Sequence, residues 1–250
     1  MGHHAIQEKV AADHGKDSEA FKFLDQHLRL LSDDRTRFVD KVGDSGGGQY
    51  SMDLAHVQRK LAEASLDCVV LERFGSKALR IFRYVREKKY VEEGSLQAVV
   101  MIPTKETKML TYQLLESHFM HLQELRKTLA SNIPSKAFYL FYVNMDQVVR
   151  HSVSLCQKAI YNCSVRSELE RERSARLLEK QERLEAEVTR LRAEGGTEEE
   201  VALVAELMTP PELEAVSKVH SQLERLTLAR QGAAETLFIL QTHLFYCQAV

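Results

Sequence analysis

Four groups of residues in the 250-residue chain have types and spacings that chemistry uses. Gly43-Asp44-Ser45-Gly46-Gly47 is the peptide found around a protease's nucleophilic serine. His118, His121 and Glu124 offer two imidazoles and a carboxylate, the donors zinc favours. Cys156 and Cys163 stand two helical turns apart. Arg73, Lys77, Arg80, Arg83, Arg86, Lys88 and Lys89 form the main basic concentration, a pattern suited to phosphate contact.

Each group is only as good as the elements that position it. A nucleophilic serine needs a histidine and an aspartate delivered by a β-rich scaffold, whereas this pattern is mostly helical and places Ser45 at a hairpin tip. The glycines there supply the positive φ that a tight turn requires. The histidines and Glu124 cross a helix-to-strand boundary and lack a fourth ligand, so no metal is expected. The cysteines fall on an apolar seam, where a thiol behaves as a small hydrophobe. Two-metal phosphoryl transfer needs an acidic cluster, and only Asp33-Asp34 lie together. No catalytic residue and no cofactor are expected.

Along the chain, residues 1–17 show little apolar periodicity and read as a loose lead-in. Ser18 caps a predicted helix with Phe21, Leu24, Leu28 and Leu31 on one face. Residues 37–42 and 49–52 then read as two short strands around the glycines, so 18–52 is the remainder of a winged helix, one helix plus its wing hairpin. Residues 53–143 read as a complete one. Asp53 caps a helix to about Arg73, Gly75 ends it, and Lys77–Lys89 is a second, with Ala78, Ile81, Phe82 and Val85 inward and its cations outward. A short helix at Ser95–Met101 and one from Thr104 to His118 follow, the latter with Met109, Leu110, Leu114 and Leu115 inward. Residues 120–125 and Ala137–Val143 are strands around a polar loop, Thr128–Lys136. In many winged helices the helix before the wing enters the major groove, and here it presents Lys105, Lys108, Thr111, Tyr112 and Gln113.

Beyond Val143 a 3-4 repeat runs through Ile160, Leu177, Leu184, Val188 and Leu191, with a polar gap at Ser167, Glu170 and Ser174. Gly195-Gly196 breaks it and Pro210-Pro211 restarts it. Val219, Leu223, Leu226, Leu237, Leu240 and Leu244 continue the spacing, so 144–250 reads as an antiparallel coiled-coil hairpin. The predicted fold is therefore mainly α with small β wings: winged-helix modules followed by a long helical hairpin.

Composition narrows the function. With 34 Lys+Arg against 36 Asp+Glu, bulk charge cannot hold the chain on nucleic acid, though a local basic face can. No apolar run approaches the roughly 20 residues a membrane helix needs, residues 1–20 lack a secretory apolar block, and four cysteines without a CxxC pair read as reduced thiols. The cytosol or nucleus is the expected compartment. For the basic helix three readings stay open: nucleic-acid contact, protein docking and a solvated surface.

With these residues in hand, the chain resembles the C-terminal half of the TFIIE-alpha-related winged-helix subunit of DNA-directed RNA polymerase III, the third of its C-series subunits. The carrying segments are Lys41-Val-Gly-Asp-Ser-Gly-Gly-Gly-Gln-Tyr50, Glu72-Arg-Phe-Gly-Ser-Lys-Ala-Leu-Arg-Ile-Phe-Arg83, Met101-Ile-Pro-Thr-Lys-Glu106, Ala137-Phe-Tyr-Leu-Phe-Tyr-Val-Asn144 and Leu177-Leu-Glu-Lys-Gln-Glu-Arg-Leu-Glu-Ala186. In order, they span about Phe21 to Cys247. The resemblance implies a nuclear, non-catalytic subunit of a peripheral heterotrimer on the polymerase clamp, serving initiation and promoter opening at genes for transfer RNA and other short RNAs. Implied partners are the other polymerase subunits, including the two trimer partners and the clamp, with promoter DNA bound weakly or non-specifically and no membrane. Arg73, Lys77, Arg80, Arg83, Arg86, Lys88, Lys89, Lys105 and Lys108 become candidates for DNA or clamp contact. Family members begin with further winged-helix modules, so the chain is expected to be a fragment, a short isoform or an incomplete gene model. The alternative is a free winged-helix DNA-binding regulator that dimerises through its coiled coil.

Overall fold

Ser18 and Asp53 each open a helix in the computed structural model, which describes residues 1–15, 18–126, 137–195 and 197–248. The Ser18 hydroxyl accepts from the Phe21 N–H and the Asp53 carboxylate from the Ala55 N–H, satisfying amides that a first helical turn leaves without partners. The chain divides into two units, Met1–Ser152 with the chain end from Ile239, and Val153–Phe238.

The first unit begins with α1 (His3–His14), where a loose lead-in was expected. Its half-buried face carries His3, Ile6, Gln7 and Val10, and two polar members hide that stripe from a purely apolar reading. Helices α2 (Glu19–Lys22) and α3 (Leu24–Asp33) follow. Leu24 and Leu28 are buried there, but Leu31 is exposed, against the expected face. Strands β1 (Asp40–Gly43) and β2 (Gln49–Ser51) pair antiparallel around a single 3-10 turn at Ser45–Gly47. Gly46, Gly47 and Gly48 all have positive φ, and a Cβ on Gly47 would come within 3.2 Å of the His3 ring. The turn is pinned from outside: His3 N–H donates to the Gly48 carbonyl at 2.9 Å and Tyr50 N–H to the Met1 carbonyl at 2.9 Å.

Helical span α4 (Leu54–Lys88) is two helices broken at Gly75, whose φ of 85° and ψ of 174° are accessible essentially to glycine alone. The break turns the chain back on itself, for Arg86 reaches the Glu63 carbonyl and the Asp67 carboxylate. Next come β3 (Tyr90–Glu92), α5 (Glu93–Val100), α6 (Thr104–Glu116), β4 (His121–Arg126) and β5 (Ala137–Tyr142). The order is winged-helical, with one strand the sequence reading missed: β3 pairs antiparallel with β5, so the sheet runs β3-β5-β4. Three residues against a helix end are too few for alternation to show. The polar loop expected at Thr128–Lys136 lies outside the described residues.

Phe82, Phe119, Ile81, Leu96 and Leu114 are fully buried in this winged helix. Each contributes on the order of 1.5–3 kcal/mol by leaving water. Phe119 also meets Phe74 and Phe82 edge-on, with centroids 5.5 and 6.4 Å away. On α6 the inward positions are Thr107, Leu110, Thr111 and Leu114, with Leu115 half-buried. Met109, expected inward, is exposed: the buried face runs through Thr107 and Thr111, whose hydroxyls are satisfied there by the Pro103 and Thr107 carbonyls.

Helices α7 (Met145–Arg173), α8 (Ala175–Ala193), α9 (Glu198–Ala205) and α10 (Pro210–Gln248) complete the chain as a helical hairpin. The expected first seam is interrupted at Ser174, where α7 gives way to α8. In the second unit α9 starts on a reciprocal Thr197–Glu200 capping box. Glu212, in the first turn of α10, is held by Lys180 of α8 at 2.7 and 2.9 Å from its two oxygens. In the first unit, Leu240 and His243 near the end of α10 are buried, and burial with the nearby Arg59 charge holds the His243 pKa below the usual histidine range. No helix among the described residues is long and apolar enough to cross a membrane.

Candidate nucleic-acid and partner interface

The Gly75 break turns the 76–88 helix so that one of its sides faces the 54–74 helix, and that side is not wholly apolar. Asp67 lies in the contact with its side chain 10% exposed. A carboxylate so placed needs compensating charge. Arg83 Nε donates to Oδ2 at 2.8 Å, while Arg86 donates Nη1 to Oδ1 at 2.7 Å and Nη2 to Oδ2 at 3.2 Å. The Arg86 guanidinium also lies 5.5 Å from the Phe82 ring centroid.

This changes the basic face expected from sequence. Arg80 and Arg83 were expected to face away from the core, and both are exposed, but neither is free of partners. Arg83 is tied to Asp67, and Arg80 donates to the Val100 carbonyl at 3.1 Å, satisfying the last turn of α5. Lys77 pairs with Glu106 at 2.6 Å and Lys108 with Glu93 at 3.1 Å. Arg73 lies 5.4 Å from the Phe74 centroid. Lys88, Lys89 and Lys105 are exposed and make no ion pair among the described residues. Much of the apparent basic helix is thus internal charge pairing, and its most available cations lie at the C-terminal end of α4 and at the start of α6.

On α6, Tyr112 and Gln113 are exposed, but Thr111 is buried with its hydroxyl on the Thr107 carbonyl, so it cannot meet a base edge. Between α6 and the wing is a notch lined by Glu92, Glu93, Tyr112, Leu122, Phe138, Tyr139 and Phe141. Sequence reasoning missed both the notch and Asp67. Asp67 had a signal, a lone carboxylate between Leu66 and Val70 on an apolar stripe; the notch had none, because β3 was unrecognised.

The remaining candidates are dispersed. His118 packs edge-on to His151, while His121 faces Tyr142 across the sheet at 5.5 Å. Burial, then the neighbouring His118 charge, pushes the His121 pKa down. Ser45 stays in the wing turn, beside a Lys41–Asp44 ion pair of 2.5 Å. Cys156 and Cys163 are half-buried in α7, and burial pushes the Cys156 thiol pKa up. Of the hairpin seam, Ile160, Leu177, Leu184, Val188, Leu191, Val219, Leu223, Leu226, Leu237 and Leu244 are half-buried and Leu240 is fully buried. The polar gap contains buried Ser167, half-buried Glu170 and the Ser174 break.

Comparison with known proteins follows the same division. Residues 4–61 match the family described as RNA polymerase III subunit RPC82. Residues 66–143 match POLR3C, C-terminal winged-helix domain, and 176–239 match the helical hairpin domain of DNA-directed RNA polymerase III subunit RPC3. The first match reaches residue 4, into the segment where the sequence alone carried no recognisable likeness. The DNA-directed RNA polymerase III subunit RPC3 of Homo sapiens is 39% identical over 221 residues, 88% of this chain and 41% of that protein. The subunit of the same name from Danio rerio is 38% identical over 226 residues, 90% and 42% of the two chains. That from Emericella nidulans is 30% identical over 171 residues, 68% and 27%. The chain spans about two fifths of the length of the vertebrate relatives it matches.

Proposed function

Because the chain belongs to the RPC3 family of DNA-directed RNA polymerase III subunits, we propose that it serves in the nucleus as a non-catalytic, structural subunit of that polymerase. The observation that carries this reading is the ordered run of three family segments, from residue 4 to residue 239, on a winged helix followed by a helical hairpin. In this reading residues 18–52, with α1, are the remainder of one winged helix, 53–143 are a complete one and 144–250 are the hairpin. The chain joins the peripheral trimer on the clamp and helps the enzyme engage and open promoter DNA at genes for short RNAs.

Within that role, Arg73, Lys88, Lys89 and Lys105 are the cations proposed to meet DNA phosphates or the clamp. Arg83 and Arg86 belong instead to the Asp67 cluster, and Lys77 and Lys108 to ion pairs with Glu106 and Glu93. A few cations give weak, salt-sensitive contact with DNA rather than base readout.

The test is gel filtration of the purified chain mixed with RNA polymerase III that has been stripped of its peripheral trimer, with the two other trimer subunits supplied. Co-elution is expected, with no tight binding of the isolated chain to duplex DNA. A chain that elutes apart, sediments as an obligate dimer and binds duplex tightly would be a free regulator.

A further inference from the structure

The notch between α6 and the wing lies where a DNA-reading winged helix presents itself to phosphates, and its chemistry is wrong for that. Its volume is about 410 Å³. The walls are apolar: Tyr112 on α6 is 60% exposed, Leu122 on β4 48% and Tyr139 on β5 46%, with buried Phe141 as the floor. Among the described residues its polar rim is acidic. Glu93 is paired with Lys108, whereas the exposed Glu92 at the end of β3 makes no ion pair among the described residues.

We infer that this notch docks a segment of a partner protein that presents one apolar side chain beside a lysine or arginine. The apolar side chain enters against Tyr112, Leu122 and Phe141, and the cation meets Glu92. Three observations select this occupant. A duplex or a single strand would bring phosphate against Glu92 and Glu93, and although Tyr112 and Tyr139 could stack on bases, stacking sites need a basic track beside them. Lys108 of α6 is already engaged in a 3.1 Å ion pair with Glu93. The walls are too exposed to enclose a small ligand, which typically loses about 70–90% of its surface on binding. Exposed tyrosines are instead among the residues enriched at protein hot spots, and the unpaired carboxylate beside them selects a cationic partner by charge complementarity.

The probe is a random dodecapeptide library displayed on phage, selected against the intact 250-residue chain. Enriched peptides are expected to share an aliphatic or aromatic residue next to Lys or Arg, and to lose about tenfold or more in affinity on Tyr112→Ala. Selection against Glu92→Lys is expected to replace that cation with Asp or Glu while keeping the apolar residue. Both side chains are exposed, so thermal melting should be unchanged, and the Glu92→Lys switch stands by itself if Tyr112→Ala does not fold. No enrichment, peptides without this pattern, an unchanged pattern on Glu92→Lys, or competition by a short DNA duplex would each overturn the proposal.

Discussion

Asp67 reorganises the basic helix more than any cation on it does. A carboxylate held by two guanidiniums at 2.7–3.2 Å, with its side chain 10% exposed and that of Arg86 19%, cannot be removed without stranding the Arg86 charge, whereas Arg83, 58% exposed, keeps its water. Asp67→Ala should cost about 3 kcal/mol, the lower end of what breaking a buried ion pair typically costs. Urea unfolding should register it as a lower midpoint with an unchanged slope. Arg83→Glu should also destabilise, since it sets a second carboxylate beside Asp67. By contrast, Lys88→Glu should leave stability within about 0.5 kcal/mol, because exposed positions away from paired networks tolerate substitution. Through the proposed contact, that same variant should weaken association with the polymerase most at low salt, the loss shrinking as added salt screens the charge. Equal stability loss in Arg83→Glu and Lys88→Glu would contradict the division into structural and available cations.

Breaks decide the elements. Gly75→Ala places a side chain at φ 85° with nothing within 4 Å of its Cβ, so its cost is backbone strain alone, about 1–3 kcal/mol by thermal unfolding. Gly75 was legible as a helix end, but not as the turn that brings Arg86 to Asp67, since that needs the two helices side by side. The hairpin helices were legible from their 3-4 spacing, and α8's start at Ser174 showed only as a polar gap in the seam. Lost in the sequence were α1, whose inward face is half polar, and β3, which is three residues long. The start of α10 carries a pH prediction. Glu212 is held at a pKa of about 2 by hydrogen bonds from Lys180, then from Thr209 N–H and hydroxyl. A carboxylate whose folded pKa is depressed stabilises the fold above its unfolded value and loses that contribution as pH falls through the folded one. Glu212→Gln should therefore melt below the native chain at neutral pH. The difference should shrink from about pH 4.5 downward and vanish near pH 2; a gap independent of pH would reject the bridge.

At the scale of the molecule, a net charge of −2 and the paired state of many cations leave little capacity to hold DNA unaided. That fits the proposed role, in which the polymerase rather than this chain holds the template. The resemblance was legible because five separated segments fell in order on one predicted architecture; which face meets which partner was not, because charge pairing and the α6–wing notch exist only after folding. The most direct test is mass spectrometry of what co-purifies with the tagged chain from nuclear extract at moderate salt, where loose ionic contacts are screened. RNA polymerase III subunits, with the two trimer partners enriched, are the predicted result. A chain recovered folded but free of those subunits, both alone and when extended to the full length of one of its longer relatives, would contradict the account.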